Sequence, residues 1–98
     1  MIFQNVDQKK IEYAADIFKG FGNPIRIRII DALQGTSLRV KDLEVQLGFP
    51  QPIISQQLKI LKGAGIVQKV REKGAYRYRL TNNHFVNLIK CMSGCLGL

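Results

Sequence analysis

Residues Pro50–Gly65 read Pro-Gln-Pro-Ile-Ile-Ser-Gln-Gln-Leu-Lys-Ile-Leu-Lys-Gly-Ala-Gly. Ile54, Leu58 and Leu61 are spaced by four and three, so a helix through this stretch gathers them into one buried stripe. Ser55, Gln56, Lys59 and Lys62 then point elsewhere. Pro52 in the first turn gives up an amide that has no intrahelical partner there, and Gly63 and Gly65 provide the stop. The spacing thus predicts a helix from about 51 to 64, with one side buried in its own domain and amide and hydroxyl groups free on the other. Such groups bond to phosphates and to base edges in a major groove. Taken alone, the segment also fits an ordinary surface helix with solvated polar side chains, so its neighbours decide.

Immediately upstream, residues 39 to 47 are predicted as a short helix with Val40, Leu43 and Leu47 inward. Gly48-Phe49-Pro50 joins it to the next helix by a turn too short for the chain to wander, which makes the two a helix-turn-helix pair. Downstream, Ile66–Arg71 and the strictly alternating Tyr76–Leu80 are strand candidates around the turn Glu72-Lys73-Gly74-Ala75. This hairpin carries Lys69, Arg71, Lys73, Arg77 and Arg79, more positive charge than solubility requires. Thr81 is placed to cap a last helix through residues 82 to about 93, with Phe85, Leu88, Ile89 and Met92 on its apolar face.

Toward the N-terminus, residues 5 to 20 read as a helix that turns Ile11, Ala15 and Phe18 inward and ends at Gly20 and Gly22. The segment Asn23–Leu33 is in conflict with itself, because Ile25-Arg26-Ile27-Arg28-Ile29 alternates as a strand would. Helix is the better reading. Asn23 is a good cap, Pro24 suits the first helical position, and Ile25, Ile29, Ile30 and Leu33 continue a stripe past the point where alternation fails. After Gly35 and Thr36, Leu38 and Val40 either pair briefly or lead straight into helix. The predicted fold is therefore mainly α with a small β-hairpin wing: five helices in the order helix, helix, helix, helix, hairpin, helix, a single winged helix-turn-helix domain over residues 1–98.

The totals bound the function classes. A chain of 98 residues makes one domain that leaves much of its surface exposed, so dimerisation is a natural supplement. Fifteen Lys and Arg against seven Asp and Glu give +8 and a pI near 9.9, which attracts polyanions, nucleic acid first and anionic membrane second. No apolar run approaches a bilayer span and the first residues lack a signal-peptide pattern, so a cytoplasmic location is expected. One histidine, few carboxylates, no nucleophile beside a base and no phosphate-cradling Gly-rich loop argue against an enzyme, and no cofactor is expected.

The chain resembles the ArsR/SmtB family of small winged-helix transcriptional repressors. The resemblance rests on Gly22–Ile30, on Leu43–Gly48, on Ile54–Leu61 followed by Gly63-Ala64-Gly65-Ile66-Val67, and on Tyr78-Arg79-Leu80 at the end of the wing. It implies a homodimer built from the first and last helices on a double-stranded DNA operator. Carried over residue by residue, it implies that Gln51, Ile53, Ser55, Gln56 and Lys59 face the bases and that Arg71, Lys73 and Arg77 meet phosphates or the minor groove. Family members often carry hydroxyl residues where this chain has Pro50 and Pro52, a change that removes groups able to cap the helix or hold a phosphate. Arg26 and Arg28 are read as snorkelling over the domain edge or pairing with Asp31 or Asp42 in preference to reaching the DNA backbone. Tyr76 and Tyr78 are read as packing residues of the wing.

The resemblance also raises metal sensing. One family site places paired cysteines in the third helix, where this chain has Arg39 and Lys41; two fixed cations repel a divalent metal, so that site is rejected. A second uses His and carboxylates on the last helix, where His84 stands alone and no Asp or Glu follows Glu72. What remains is Cys91-Met92-Ser93-Gly94-Cys95, with sulfurs on one helical face one turn apart and Gly94 able to loosen the helix. Three readings stay open: a soft metal or metalloid site shared by two chains, a redox or persulfide switch, and small apolar residues of a dimer interface. The expected function is a sequence-specific repressor, released by an inducer, oxidant or metal ion where such a signal exists. The rival is a winged-helix module that docks on protein or RNA without regulating a promoter.

Overall fold

Asn23 settles the helix-or-strand conflict in the computed structural model, which describes every residue from Met1 to Leu98. Its side-chain oxygen accepts the N–H of Ile25 at 2.9 Å and of Arg26 at 3.2 Å, and Pro24 takes the first helical position. These satisfied amides commit Pro24–Ala32 to helix, despite the alternating Ile and Arg. The elements in chain order are α1 (Gln8–Phe21), α2 (Pro24–Ala32), α3 (Val40–Leu47), α4 (Gln51–Gly63), β1 (Val67–Glu72), β2 (Ala75–Leu80) and α5 (His84–Cys95). This is the predicted order, with a two-stranded antiparallel wing after the helix-turn-helix pair.

The core forms where α2, α3 and α4 meet the base of the wing and α5. Ile29, Ile30 and Leu33 of α2, Leu43 of α3 and Ile54, Leu58 and Leu61 of α4 are all buried, together with Ile66, Val67, Phe21, Phe85 and Ile89. The α4 stripe read from the sequence is thus the central wall of the core. Gly48 makes the tight link between α3 and α4 in a left-handed conformation (φ 77°) that suits glycine, and its N–H closes α3 on the Glu44 carbonyl at 2.9 Å. In the wing, Val67 pairs with Leu80 and Glu72 with Ala75, so Lys73 and Gly74 alone form the turn, both at positive φ. Leu38 pairs briefly, as one of its two readings had it: it exchanges two backbone hydrogen bonds with Tyr78, at 3.0 and 2.8 Å, beside the hairpin.

Two elements depart from expectation. α1 begins at Gln8 because the Asp7 carboxylate accepts the Lys10 N–H at 2.9 Å, and its inward face is Ile17, Gly20 and Phe21 in place of Ile11, Ala15 and Phe18. Phe18 is 69% exposed. The reason lies at Gly20, whose bare backbone rests on Ile66; a Cβ there would stand 2.4 Å from the Ile66 Cδ1. A periodicity that counts only apolar side chains cannot register a face whose contact residue has none. At the other end, Thr81 caps nothing in α5. Its hydroxyl donates to the Gly65 carbonyl at 2.7 Å and so ties the lead-in of α5 to the turn after α4. Asn82 accepts the His84 N–H at 2.9 Å instead, and the helix runs on through Gly94 to Cys95.

Candidate nucleic-acid interface

α4 presents the side chains expected of a reading helix. Gln51, Gln56 and Lys59 are exposed, and Ile53 and Ser55 are half-buried beside them. The Gln51 amide donates to the Ser55 hydroxyl at 2.7 Å, which orients both groups along the first turn. No side chain caps this helix, as Pro50 and Pro52 dictate; the Pro50 carbonyl takes the N–H groups of Ile53 and Ile54.

The wing sorts its cations by strand register. Lys69 and Arg71 are exposed and stand opposite Tyr78 and Tyr76. Lys73 lies at the exposed tip. Arg77 is half-buried: one terminal nitrogen donates to the Ser37 carbonyl at 3.2 Å and its Nε is buried with no partner. Arg79 pairs with Glu72 at 3.2 Å, and Glu72 also accepts the Ser37 hydroxyl at 2.9 Å. Of the wing residues expected at DNA, Arg71 and Lys73 are thus presented outward, while Arg77 is turned toward the segment before α3.

The two arginines of α2, read as snorkelling or pairing with Asp31 or Asp42, have separate fates. Arg28 is exposed on α2. Arg26 pairs with neither Asp31 nor Asp42. Its guanidinium donates to the Gly20 carbonyl at 2.8 Å, the Lys19 carbonyl at 3.0 Å and the Gln57 side-chain oxygen at 2.9 Å. It therefore closes the C-terminal end of α1, where carbonyls lack helical partners, and fastens that end to α4. The Gln57 contact is 31 positions away in the chain, so no local pattern announced it.

Asp42 pairs with Arg39 in the first turn of α3, accepting the Arg39 backbone N–H and both Nε and a terminal nitrogen at 2.9 to 3.2 Å. The side-chain bonds first, then the backbone N–H, hold its carboxyl down to about 2, and the same side-chain bonds with the carboxylate's charge raise the Arg39 guanidinium above its usual range. Cys91 and Cys95 are free and exposed on α5, and no group of three His, Cys, Asp or Glu side chains is assembled to hold a metal ion. No helix is long and apolar enough to cross a membrane.

Residues 23–69, the stretch from the α2 cap to β1, match the family model for bacterial regulatory proteins of the arsR family. The chain is 42% identical to the HTH-type transcriptional regulator MJ1325 of Methanocaldococcus jannaschii, over 84% of this chain and 93% of that one. It is 34% identical to the HTH-type transcriptional repressor SmtB of Mycobacterium tuberculosis over 81% of its own length, and spans 58% of the length of that relative. Among solved structures it resembles the transcriptional repressor BigR of Xylella fastidiosa, with a TM-score of 0.79, 31% identity and 90% of each chain covered.

Proposed function

This chain belongs to the arsR family of bacterial regulatory proteins, and on that premise we propose that it is a dimeric, sequence-specific DNA-binding repressor of transcription. The observation that carries the reading is the joint exposure of a polar α4 face and a cationic wing on a chain of net charge +8. In the proposed complex Gln51, Ser55 and Gln56 read base edges, Ile53 meets a thymine methyl, and Lys59, Arg71 and Lys73 engage phosphates. Arg77 acts chiefly by seating the wing on Ser37.

Support for the dimer comes from α1 and α5. Phe18 and Tyr13 of α1 are largely exposed, and a groove of about 300 Å³ lined by Phe18, Phe21, Leu88 and Met92 lies between the two helices. A second copy covering this apolar seam would hold two α4 helices about one duplex turn, ~34 Å, apart. For the releasing signal, the two exposed thiols one turn apart support oxidation over metal binding, since a protomer brings no third ligand to them.

The test is binding to genomic and random duplexes across a salt series, in reduced and oxidised protein. Gln56→Ala is expected to relax sequence preference, costing about 1–3 kcal/mol at the best site, whereas Arg71→Gln weakens all sequences alike. Preference for RNA, or no duplex binding at all, would replace this reading with the protein- or RNA-docking module. Oxidation that lowers affinity in the wild type but not in a Cys91→Ser, Cys95→Ser double variant would assign the signal to the thiols.

A further inference from the structure

Strand alternation divides the wing into two chemically different faces. By register, Val70 and Glu72 share one face with Ala75, Arg77 and Arg79. There the cations are committed to the protein itself: Arg79 to Glu72 at 3.2 Å and Arg77 to the Ser37 carbonyl at 3.2 Å. The opposite face roots the wing in the core through Val67, Tyr78 and Leu80 and carries Lys69 and Arg71 farther out, where both are exposed. Neither has a carboxylate partner, since the ion pairs of the chain are Arg39–Asp42 and Arg79–Glu72. Both instead lean on one ring. The Lys69 Nζ lies 4.6 Å and the Arg71 guanidinium carbon 4.8 Å from the centroid of Tyr76, which is 57% exposed.

Two like charges on flexible stems spread apart in water. Attraction to the π face of Tyr76 works against that repulsion and keeps both heads beside a shared ring with their N–H donors still free. The rotamer freedom that Lys and Arg give up on binding is then partly given up beforehand.

We propose that Tyr76 is a positioning residue for nucleic acid: its ring holds Lys69 and Arg71 side by side as a phosphate clamp on the exposed distal half of the wing, while Arg77 and Arg79 stay bound to Ser37 and Glu72. The inference rests on the DNA-binding reading above and deepens it by naming which cations of the hairpin meet the duplex. Lys69 joins the contact set and Tyr76 supports it on this ground alone, since neither was singled out as a contact by the sequence.

The full chain is titrated against a fluorescently labelled duplex of random sequence over a salt series, with each variant first matched to the wild type by thermal melting. The Lys69→Gln, Arg71→Gln double variant should flatten the slope of log affinity against log salt by about 1.8, at ~0.9 per phosphate. Tyr76→Leu should weaken binding about three- to tenfold and flatten the slope in the same direction, as expected of cation–π contacts at exposed sites. Tyr76→Phe, which keeps the ring, should restore both. A Tyr76→Leu protein with wild-type affinity and slope overturns the positioning role. A slope that responds to Arg79→Gln but not to the Lys69, Arg71 pair overturns the division of the cations. Wild-type protein that binds no duplex defeats the DNA reading itself, a result distinct from either.

Discussion

A single carboxylate governs how the start of α3 responds to acid. Asp42 ties down the Arg39 backbone N–H and its side chain, and both contacts need the ionised form. Because its pKa is lowered to about 2, the stabilisation is complete above the ordinary carboxylate pKa and is lost as pH falls from there toward 2. Urea denaturation is therefore expected to show Asp42→Asn less stable than the wild type at neutral pH but with a shallower loss of stability between pH 5 and 2. Gly20 is a second sensitive point. Adding a methyl there presses on fully buried Ile66, so Gly20→Ala should cost about 1–3 kcal/mol by overpacking. Ile66→Val removes the Cδ1 in question, and a double-mutant cycle by chemical denaturation should recover part of that loss.

At the scale of the elements, the wing turn is the place where a substitution can separate stability from charge. Lys73 sits at φ 53° before Gly74 at 73°, a pair of positive values that favours Asn-Gly over Lys-Gly. Lys73→Asn is expected to raise thermal stability slightly, because Asn tolerates the left-handed region better than Lys, while reducing the salt dependence of DNA binding by close to one phosphate, ~0.9 in slope. The helices behind the helix-turn-helix pair were legible because their stripes are built from Ile and Leu at steps of three and four, and α2 because Asn23 and Pro24 mark its start. α1 was placed but turned to the wrong face, because its closest contact is through a glycine. Thr81 looked like a cap, since a hydroxyl before a helix is a good local signal; its acceptor, the Gly65 carbonyl, lies 16 positions away. In the candidate site the outward Gln56, Lys59 and Lys62 of α4 follow from periodicity, whereas Gln51 and Ile53 enter through the family resemblance. The division of the five wing cations does not, because it is set by Glu72 and Ser37, one across the hairpin and one outside it.

For the molecule as a whole, a core of 12 buried apolar side chains is modest, and the exposed Phe18 beside Leu88 and Met92 offers the surface with which a pair of chains would extend it. Phe18→Glu should shift sedimentation toward a single chain and, by separating the two α4 helices, weaken binding to a two-half-site duplex far more than to a single half-site. Equal weakening on both would argue that the seam lies elsewhere. The Arg26 guanidinium gives this arrangement a mechanical property. By gripping the tail of α1 and the middle of α4 at once, it welds the part of the body nearest the seam to the part nearest the bases. A paired assembly would then behave as a caliper with stiff arms: a slight change in tilt where the chains meet is carried out to the jaws, and the gap it sets decides which duplexes fit.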